Sequence, residues 1–532
     1  MAKSSKQPNF LFIITDQHRA DHLGCYGNRE VRTPHIDSLA ERGSRFERFY
    51  VATPVCMPNR ASIMTGRMPS VHGARSNGVP LPLDAVTFAD VLSANGYHTG
   101  LVGKIHLQNM EDRPAACDTP DHGDLRVTPG LEEATRHDIR GADYQQERRS
   151  RWADPDHHLT LPYYGFQHVD LCNHHGDETF GDWLRWAEAQ HPDFAALCGP
   201  ENATPDARYD APQAWRTQVP ESLYSSFYIA DRAEAYLRER AGAEQPFFLQ
   251  CSFPDPHHPF TPPGKYWDMY DPDAVTISPT CQPPGPDAPP HVRWAHAERA
   301  AGRAVLSTPR MFAVSPQEAR QILALTYGMI SMVDDAVGRI LKTLEDTGLA
   351  DNTVVIFTSD HGDFMGDHGL MLKGPLHYQG LIRVPFIWKD PVRPEAATVD
   401  ALASCTDIAS TVLARAGLAP YNGMQGRNLL PLLTEAAPDT LEGVLVEEDN
   451  QRAYLGFARP VRARTLVTKH HRLTLYRDAD WGELYDLQAD PHECRNLWHD
   501  PAASALRLRL TELLAHKLLE KDDQSPMPTQ LA

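Results

Sequence analysis

Residues 10–15 read FLFIIT and are followed at once by Asp16, and this stretch indicates the fold. An unbroken apolar run with β-branched residues is typical of a strand that is buried on both faces. Residues 354–358 (VVIFT) repeat this design and lead into Asp360, and residues 247–251 (FFLQC) form a third run of the same kind. We therefore predict buried strands, two of which end next to a carboxylate.

The segments between these runs carry helical patterns, of which residues 316–345 are the clearest. Ser315, Pro316 and Glu318 combine an N-cap residue, a proline suited to the first helical position and a capping box. Residues 384–388 (VPFIW) are a further strand candidate. Strands that alternate with amphipathic helices predict an α/β fold with a large, mostly parallel mixed sheet between layers of helices.

A chain of 532 residues is long for one hydrophobic core, so we expect a second, smaller unit. We predict an α/β domain over residues 1–435 and a small antiparallel α+β subdomain with a terminal helix over residues 436–532. Residues 108–165 and 270–312 have weak periodicity, and we interpret them as surface insertions that shape the mouth of a binding site. Beyond residue 435 the strand candidates are 444–446, 462–468, 472–476 and 483–487, and a helix is predicted near 503–520.

The formal net charge of −19 argues against nucleic acid as a partner, because proteins that bind nucleic acid carry a basic face. An anionic substrate would need a local positive field, made by a metal ion and a few Lys and Arg side chains. The nine cysteines have scattered spacing and no CxxC pair, which argues against a disulfide framework or a zinc knuckle.

The N-terminus has basic residues followed by an apolar run that is too short for a signal peptide and lacks a small-residue cleavage site. No stretch approaches the ~18 apolar residues of a membrane span. We therefore expect a cytoplasmic protein that does not interact with a membrane.

Polar residues follow several predicted strands. Asp16 and Gln17 follow the first, residues 254–259 follow the third, and Asp360 and His361 come after the run that ends at residue 358. Ligands of open parallel sheets bind beyond the carboxyl ends of the strands, so we expect these residues to converge. Taken singly, each pair is more often an ordinary loop or cap than a metal site.

Cys56 begins the pattern CMPNR, which is followed by TGR at residues 65–67. Asp16, Gln17 and Asp360 offer hard oxygen ligands, and soft sulfur does not suit such a site. Cys56 is therefore either a bystander or a residue that does not stay a cysteine. Pro58 at the first position of a helix would place residue 56 at a positive helix end, a natural seat for an anion.

With these motifs, the chain resembles the type I sulfatases of the alkaline phosphatase superfamily over nearly its whole length. The resemblance covers arylsulfatase-like and choline-sulfatase-like members and extends to the related phosphonate monoester hydrolases. The motifs that carry it are DQHRADHLGCYGN, VRTPHIDSLAERGSRF, CMPNRASIMTGR, GYHTGLVGKIHL, SFPDPHHPF, TSDHGDFMGDHG and ELYDLQADPHECRNL.

The resemblance implies that Cys56 is oxidised to formylglycine and that one divalent metal ion is bound. Two of the ligands depart from the most familiar arylsulfatase pattern, because Gln17 replaces an Asp and His361 replaces an Asn. The exchange makes the site less negative and adds a nitrogen ligand, which favours Mn²⁺ beside Ca²⁺ and makes Mg²⁺ the weaker candidate. The implied ligands are Asp16, Gln17, oxidised Cys56, Asp360 and His361.

Further roles come from the same resemblance. Lys104 and His106 match a pair that binds the sulfate oxygens and the second hydroxyl of the nucleophile, and alternation would put both on one face of an extended segment. His257 and Lys373 match the groups near the leaving-group oxygen, and Arg60 would stabilise the oxidised side chain. Other polar residues are not separable from surface groups by sequence: His35, His72, Arg75, Asn77, His174 and His175.

The implied reaction is hydrolysis of an aryl or alkyl sulfate monoester through a covalent sulfate hemiacetal on residue 56. The alternative is a phosphonate monoester or phosphodiester hydrolase, or an enzyme promiscuous for both. A non-enzymatic anion-binding scaffold is the third hypothesis, but every catalytic-type position holds a competent residue. The implied partners are a small anionic ester, a formylglycine-generating or equivalent maturation enzyme, and further copies of the chain in a dimer or tetramer.

Overall fold

The computed structural model describes residues 7–116, 121–136, 138–434 and 440–531. Nine of its strands form one large sheet and four form a small one. The strands are β1 Asn9–Thr15, β2 Ser44–Tyr50, β3 His98–Gly103, β4 His168–Asn173, β5 Phe180–Gly181, β6 Phe247–Phe253, β7 Phe312–Ala313, β8 Thr353–Ser359, β9 Leu370–Met371, β10 Phe386–Lys389, β11 Ala397–Ser404, β12 Val444–Asp449, β13 Arg462–Val467, β14 His471–Tyr476 and β15 Gly482–Asp486.

The large sheet has the order β11-β2-β10-β8-β1-β6-β3-β4-β5. Its central strands β8, β1, β6 and β3 are parallel to one another, whereas β10 and β5 pair antiparallel to their neighbours. The predicted α/β class with a mostly parallel mixed sheet is confirmed. The carboxyl ends of β1, β6 and β8 therefore meet at one edge of the sheet.

Strand β1 explains why its sequence is apolar without interruption. Phe10, Phe12 and Ile14 pack in the hydrophobic core on one face of the sheet, and Leu11 and Ile13 pack in the core on the other face. Successive side chains of a strand point to opposite faces, so a strand covered on both sides has no solvent-facing position.

Helices cover both faces. Ser315 and Glu318 form the predicted capping box at the start of the helix Pro316–Asp346. This helix packs on the same face of the sheet as the helices Pro34–Glu41 and Ser225–Arg240. The helices are α1 Pro34–Glu41, α2 Cys56–Thr65, α3 Pro69–His72, α4 Phe88–Ala94, α5 Arg149–Trp152, α6 Asp182–Gln190, α7 Ser225–Arg240, α8 Pro290–Ala300, α9 Pro316–Asp346, α10 Gln379–Ile382, α11 Asp407–Arg415 and α12 Ser504–Glu520.

The small sheet is antiparallel, with the order β12-β13-β14-β15. The buried side chains of Leu510 and Leu514 in α12 pack in the same hydrophobic core as side chains of this sheet and of one face of the large sheet. The predicted antiparallel unit with a terminal helix is thus present. The predicted boundary at residues 435 and 436 lies outside the described residues, so the division into two domains stays a prediction.

Two further observations concern chemistry and location. The eight cysteines in the described part of the chain are free, and Cys117 lies outside it. Within the described ranges, no helix combines the length and the apolar composition that crossing a bilayer requires.

Asp334 in α9 provides a pH-dependent link to α1. Its carboxylate accepts hydrogen bonds from the backbone N–H groups of His35 and Ile36 at 3.1 and 2.8 Å. Burial raises the pKa of Asp334 from 3.8 to about 7. Between these values the folded protein holds a proton that the unfolded chain has lost, so stability from this group is present at low pH and lost as pH rises.

We expect the free energy of unfolding of wild type, relative to Asp334→Asn, to fall as pH rises from 4 to 7. The slope of this difference is at most about 1.4 kcal/mol per pH unit, because one proton is involved. Urea unfolding at several pH values measures it. Asp346→Asn, at an exposed side chain of the same helix that pairs with Lys342, is the matched control. Parallel curves for wild type and Asp334→Asn would contradict the expectation.

Candidate active site

The carboxyl ends of β1 and β8 bring two buried carboxylates together. Asp16 follows β1, Asp360 follows β8, and the backbone N–H of Asp360 donates to the carbonyl of Thr15 at 3.1 Å. Arg60 joins the two, since its Nε donates to Asp360 Oδ2 at 2.8 Å and its Nη2 lies 3.4 Å from Asp16 Oδ2. The sequence prediction that these strand ends converge is confirmed.

Cys56 lies at the first residue of α2, so the helix begins two residues earlier than Pro58 suggested. Its Sγ is 3.0 Å from His361 Nε2, 3.0 Å from Lys373 Nζ and 3.7 Å from Asp16 Oδ1. Burial and the charge of Asp16 oppose ionisation of the thiol, but Lys373 and His361 outweigh them and lower its pKa. The sulfur therefore faces cationic groups at a positive helix end.

Gln17 turns its side chain into the same cluster from a left-handed backbone conformation, with φ of 62°. Its Oε1 accepts a hydrogen bond from Lys373 at 3.3 Å, and its Nε2 donates to Asp363 Oδ2 at 2.5 Å. The second bond fixes the amide so that its oxygen faces Lys373, whose ammonium also contacts Cys56 and His361. Asp363 thus orients the Gln17 side chain, a role that the sequence does not predict.

The donor set fits a divalent cation. One donor atom each from Asp16, Cys56, Asp360 and His361 lies within 4.8 Å of the others. The ammonium of Lys373 contacts three of the predicted ligands, with Nζ 3.0 to 3.3 Å from Cys56, His361 and Gln17. The ligand atoms therefore already face a positive charge. A set of oxygen donors with one imidazole suits Ca²⁺ or Mn²⁺.

Lys104 and His106 reach the site, but not as alternating residues of a strand. Strand β3 ends at Gly103, and His106 has a φ of 52°, so the backbone turns between the two side chains. Lys104 Nζ lies 2.5 Å from Asp16 Oδ2 and 2.6 Å from His175 Nε2. Burial would raise the pKa of Asp16, but the charge of Lys104, with a smaller contribution from Arg60, outweighs it and holds that pKa well below its usual value.

His106 is a buried, neutral imidazole. Burial, and then the charges of Lys104 and Arg60, hold its pKa well below the usual value. Its Nδ1 has no hydrogen-bond partner among the described residues. A buried ring nitrogen without a partner costs free energy unless a ligand or water completes it, which suits a group that accepts a proton during a reaction.

His257 contacts Lys373 beside the predicted metal ligands. Its Nε2 is 2.7 Å from Lys373 Nζ, and its Nδ1 donates to the carbonyl of His258 at 2.6 Å. Burial lowers the pKa of His257 well below its usual value, with smaller contributions from His175, His258 and Lys373. The ammonium is thus the donor in this contact, and the imidazole accepts.

His175 contacts the site residues, although the sequence does not separate it from surface polar groups. It follows β4, bonds Lys104, and stacks on His257 with ring centroids 3.5 Å apart. The signal that identifies Asp16, a polar residue just beyond a buried strand, also identifies His175. By contrast, His72 is buried under α2 against Ser62 Oγ at 2.9 Å, away from this cluster.

Comparison with known families agrees with this geometry. A model of the family described as Sulfatase matches residues 8–418, and one described as N-sulphoglucosamine sulphohydrolase, C-terminal, matches residues 366–520. The chain is 28% identical over 523 residues to an ulvan-active sulfatase of Formosa agariphila, covering 97% of this chain and 82% of that protein. It is 27% identical over 500 residues to an arylsulfatase of Clostridium perfringens, covering 92% and 90%.

Among solved structures, the fold is similar to the phosphonate monoester hydrolase of Agrobacterium radiobacter. The two share 25% identity with a TM-score of 0.75, over 99% of this chain and 98% of that chain. The fold and the clustered site define a hydrolase of the alkaline phosphatase superfamily. Because the family model spans most of its length, the chain belongs to the sulfatase family and is a sulfuric ester hydrolase.

Proposed function

We propose that the protein hydrolyses aryl or alkyl sulfate monoesters with a formylglycine made from Cys56. The observation that carries the proposal is the position of Cys56 Sγ, 3.0 Å from both His361 and Lys373 at the start of α2. A thiol among oxygen ligands has no evident use there, whereas a hydrated aldehyde offers one oxygen to a metal ion and one for attack.

The divalent ion would be held by Asp16, Gln17, Asp360, His361 and the oxidised residue 56. When bound, it would supply positive charge to the transferring group and make a hydroxyl of residue 56 easier to ionise. Arg60 has a positioning role in this proposal, because its guanidinium is engaged by Asp360, Asp16 and the carbonyl of Lys104. This differs from the role expected from sequence, in which Arg60 acts on the nucleophile itself.

Lys104, His175 and Lys373 would hold the sulfate oxygens and orient the ester for in-line attack, and such positioning supplies much of the catalysis in ester hydrolysis. One hydroxyl of residue 56, after losing its proton to solvent, would attack sulfur while the S–O bond to the alcohol breaks, and the Lys373–His257 pair would deliver a proton to the departing oxygen. His106 then takes the proton of the remaining hydroxyl, and the sulfate hemiacetal collapses to the aldehyde with release of sulfate. Water restores the diol.

Maturation of Cys56 by a formylglycine-generating or equivalent enzyme is part of this proposal. Assembly into a homodimer or tetramer, the cytoplasmic location and the division into domains 1–435 and 436–532 stay predictions from the sequence. The same holds for the assignment of residues 108–165 and 270–312 as substrate-shaping insertions.

The alternative on the same scaffold is a phosphonate monoester or phosphodiester hydrolase, favoured by Gln17 and His361. The test compares 4-nitrophenyl sulfate with a phenylphosphonate monoester and bis(4-nitrophenyl) phosphate, with Mn²⁺ or Ca²⁺ added. We expect the sulfate ester to have the highest kcat/KM, because Lys104 and His106 suit a sulfate group. A phosphorus ester that is preferred by more than about tenfold, or about 1.4 kcal/mol of transition-state binding, would reverse the assignment of substrate class.

A further inference from the structure

Three loops of distant sequence, residues 111–116, 304–311 and 450–457, meet near Gly374, which follows Lys373. Gly374 lies against the second and third loops, since a Cβ there would be 2.7 Å from Met311 Sδ and 3.3 Å from Tyr454 Oη. The side chain of Gln451 donates to the carbonyl of Asn77 and accepts from the backbone N–H of Ala116 at 3.0 Å. These contacts bring residues 111–116, 304–311 and 450–457 together.

The same loops bring arginines together. Arg113 and Arg310 lie near enough to Arg452 for their charges to act on it, and burial together with these two neighbours lowers the pKa of Arg452. Arg310 also acts on the hydroxyl of Tyr454, which abuts Gly374. Arg310 precedes Met311 and Arg452 lies two residues before Tyr454, so both arginines are next in sequence to side chains that pack against Gly374, beside Lys373.

Two of these arginines have no acidic partner. In the described ranges, the side chains of Arg310 and Arg452 form neither an ion pair nor a hydrogen bond, although Arg452 is half-buried. Arg113 is partly neutralised by Glu111 at 3.5 Å, and that carboxylate also bonds His174 at 2.9 Å. Arg310 is exposed and Arg452 is half-buried, and neighbouring cations without an acidic partner favour the binding of an anion.

The charge balance of the chain strengthens this argument. With a net charge of −19, most of the surface repels an anionic substrate, and paired arginines elsewhere contribute little local field. The sulfate that is cleaved has its own cationic partners in Lys104 and Lys373. Arg310 and Arg452 come in addition to that set and belong to the loops that pack beside Lys373, the residue proposed to lie near the leaving-group oxygen.

We infer that Arg310, Arg452 and Tyr454 form a mouth subsite that binds a second acid group, a carboxylate or a further sulfate, on the alcohol part of the substrate. This inference rests on the proposed sulfatase function. It assigns the substrate to sulfate esters of acidic alcohols or phenols, in preference to esters whose only charge is the sulfate that is cleaved.

The test uses esters that differ only in remote charge: 4-(carboxymethyl)phenyl sulfate, its amide 4-(carbamoylmethyl)phenyl sulfate, and 4-(sulfomethyl)phenyl sulfate. The methylene group keeps the leaving phenols similar, and sulfate release gives the rate. We expect kcat/KM to be at least about tenfold higher for an acidic ester than for the amide at low salt, the scale of one charge-assisted hydrogen bond. The better of the two acidic esters identifies the acid group.

Arg452→Gln and Arg310→Gln should each reduce this preference by about tenfold, and added salt should weaken it in wild type. Because the preference is a ratio within one variant, it does not depend on the folded fraction. Arg238→Gln is the control, since Arg238 is 60% exposed at the end of α7 that leads to the opposite edge of the sheet.

Equal rates on acidic and neutral esters in wild type would overturn the mouth subsite and leave the sulfatase function standing. The same holds if both glutamine variants keep the full wild-type preference. Failure to release sulfate from any of the three esters would instead overturn the proposed function, and the mouth subsite with it.

Discussion

Replacing Cys56 by alanine is expected to lower sulfate ester turnover by about 10⁴-fold or more, the scale seen when a covalent nucleophile is removed. Alanine takes away both the attacking hydroxyl and the ligand atom that residue 56 offers beside His361 and Lys373. Initial rates with 4-nitrophenyl sulfate measure the loss. Cys494→Ala, which changes an exposed cysteine outside the site, should keep the wild-type rate.

Cys56→Ser separates the formylglycine mechanism from a simple nucleophile. A serine has one hydroxyl, so it can accept the sulfuryl group but cannot expel sulfate by forming an aldehyde. We expect at most one equivalent of phenol per site and then no turnover. Mass spectrometry of the peptide that contains residue 56 should find formylglycine in the active wild type. Sustained turnover by Cys56→Ala, or an active wild type that keeps an unmodified thiol, would contradict the proposal.

The parts of the fold that were predictable are those in which one local signal decides the structure. The run at residues 10–15 is apolar because both faces of β1 are covered, and Ser315 with Glu318 starts α9 through its own side-chain hydrogen bonds. The position of Asp16 and Asp360 follows from the strands before them, because parallel strands end at a common edge.

The errors have equally local causes. Pro58 was assigned to the first helical position, but the first residues of a helix all lack an N–H partner within it, so a proline fits anywhere in the first turn. Lys104 and His106 were treated as alternating residues, but Gly103 and His106 have positive φ and end the extended backbone. A non-glycine residue in this conformation is uncommon and has no reliable sequence signal.

The contacts between distant surface loops could not be predicted from the sequence. The loop at residues 450–457 lies beside two other loops because Gln451 contacts Asn77 and Ala116. Neither contact leaves a trace in the spacing of one sequence. For this reason the motifs indicate which residues converge at the strand ends, whereas they do not indicate the loops that surround them.

His257→Ala is expected to slow hydrolysis of a sulfate ester with a basic leaving group, such as an alkyl sulfate, by about 10²–10⁴-fold. In the proposal, Nε2 of the imidazole takes a proton from the Lys373 ammonium, which lies 2.7 Å away, and passes it to the departing oxygen. The 4-nitrophenolate leaving group needs little protonation, so 4-nitrophenyl sulfate should lose much less activity. Rates for a series of substituted phenyl sulfates, plotted against the pKa of the phenol, measure the difference.

The slope of that plot is decisive because a folding defect changes all rates by one factor and leaves the slope unaltered. If His257 relays the proton, the variant rates should fall more steeply with phenol basicity than those of wild type. Equal losses for all esters would mean that His257 only holds Lys373 and His175 in place, which its stacking on His175 also permits. The proton would then pass directly from Lys373, whose ammonium already lies 3.0 Å from residue 56.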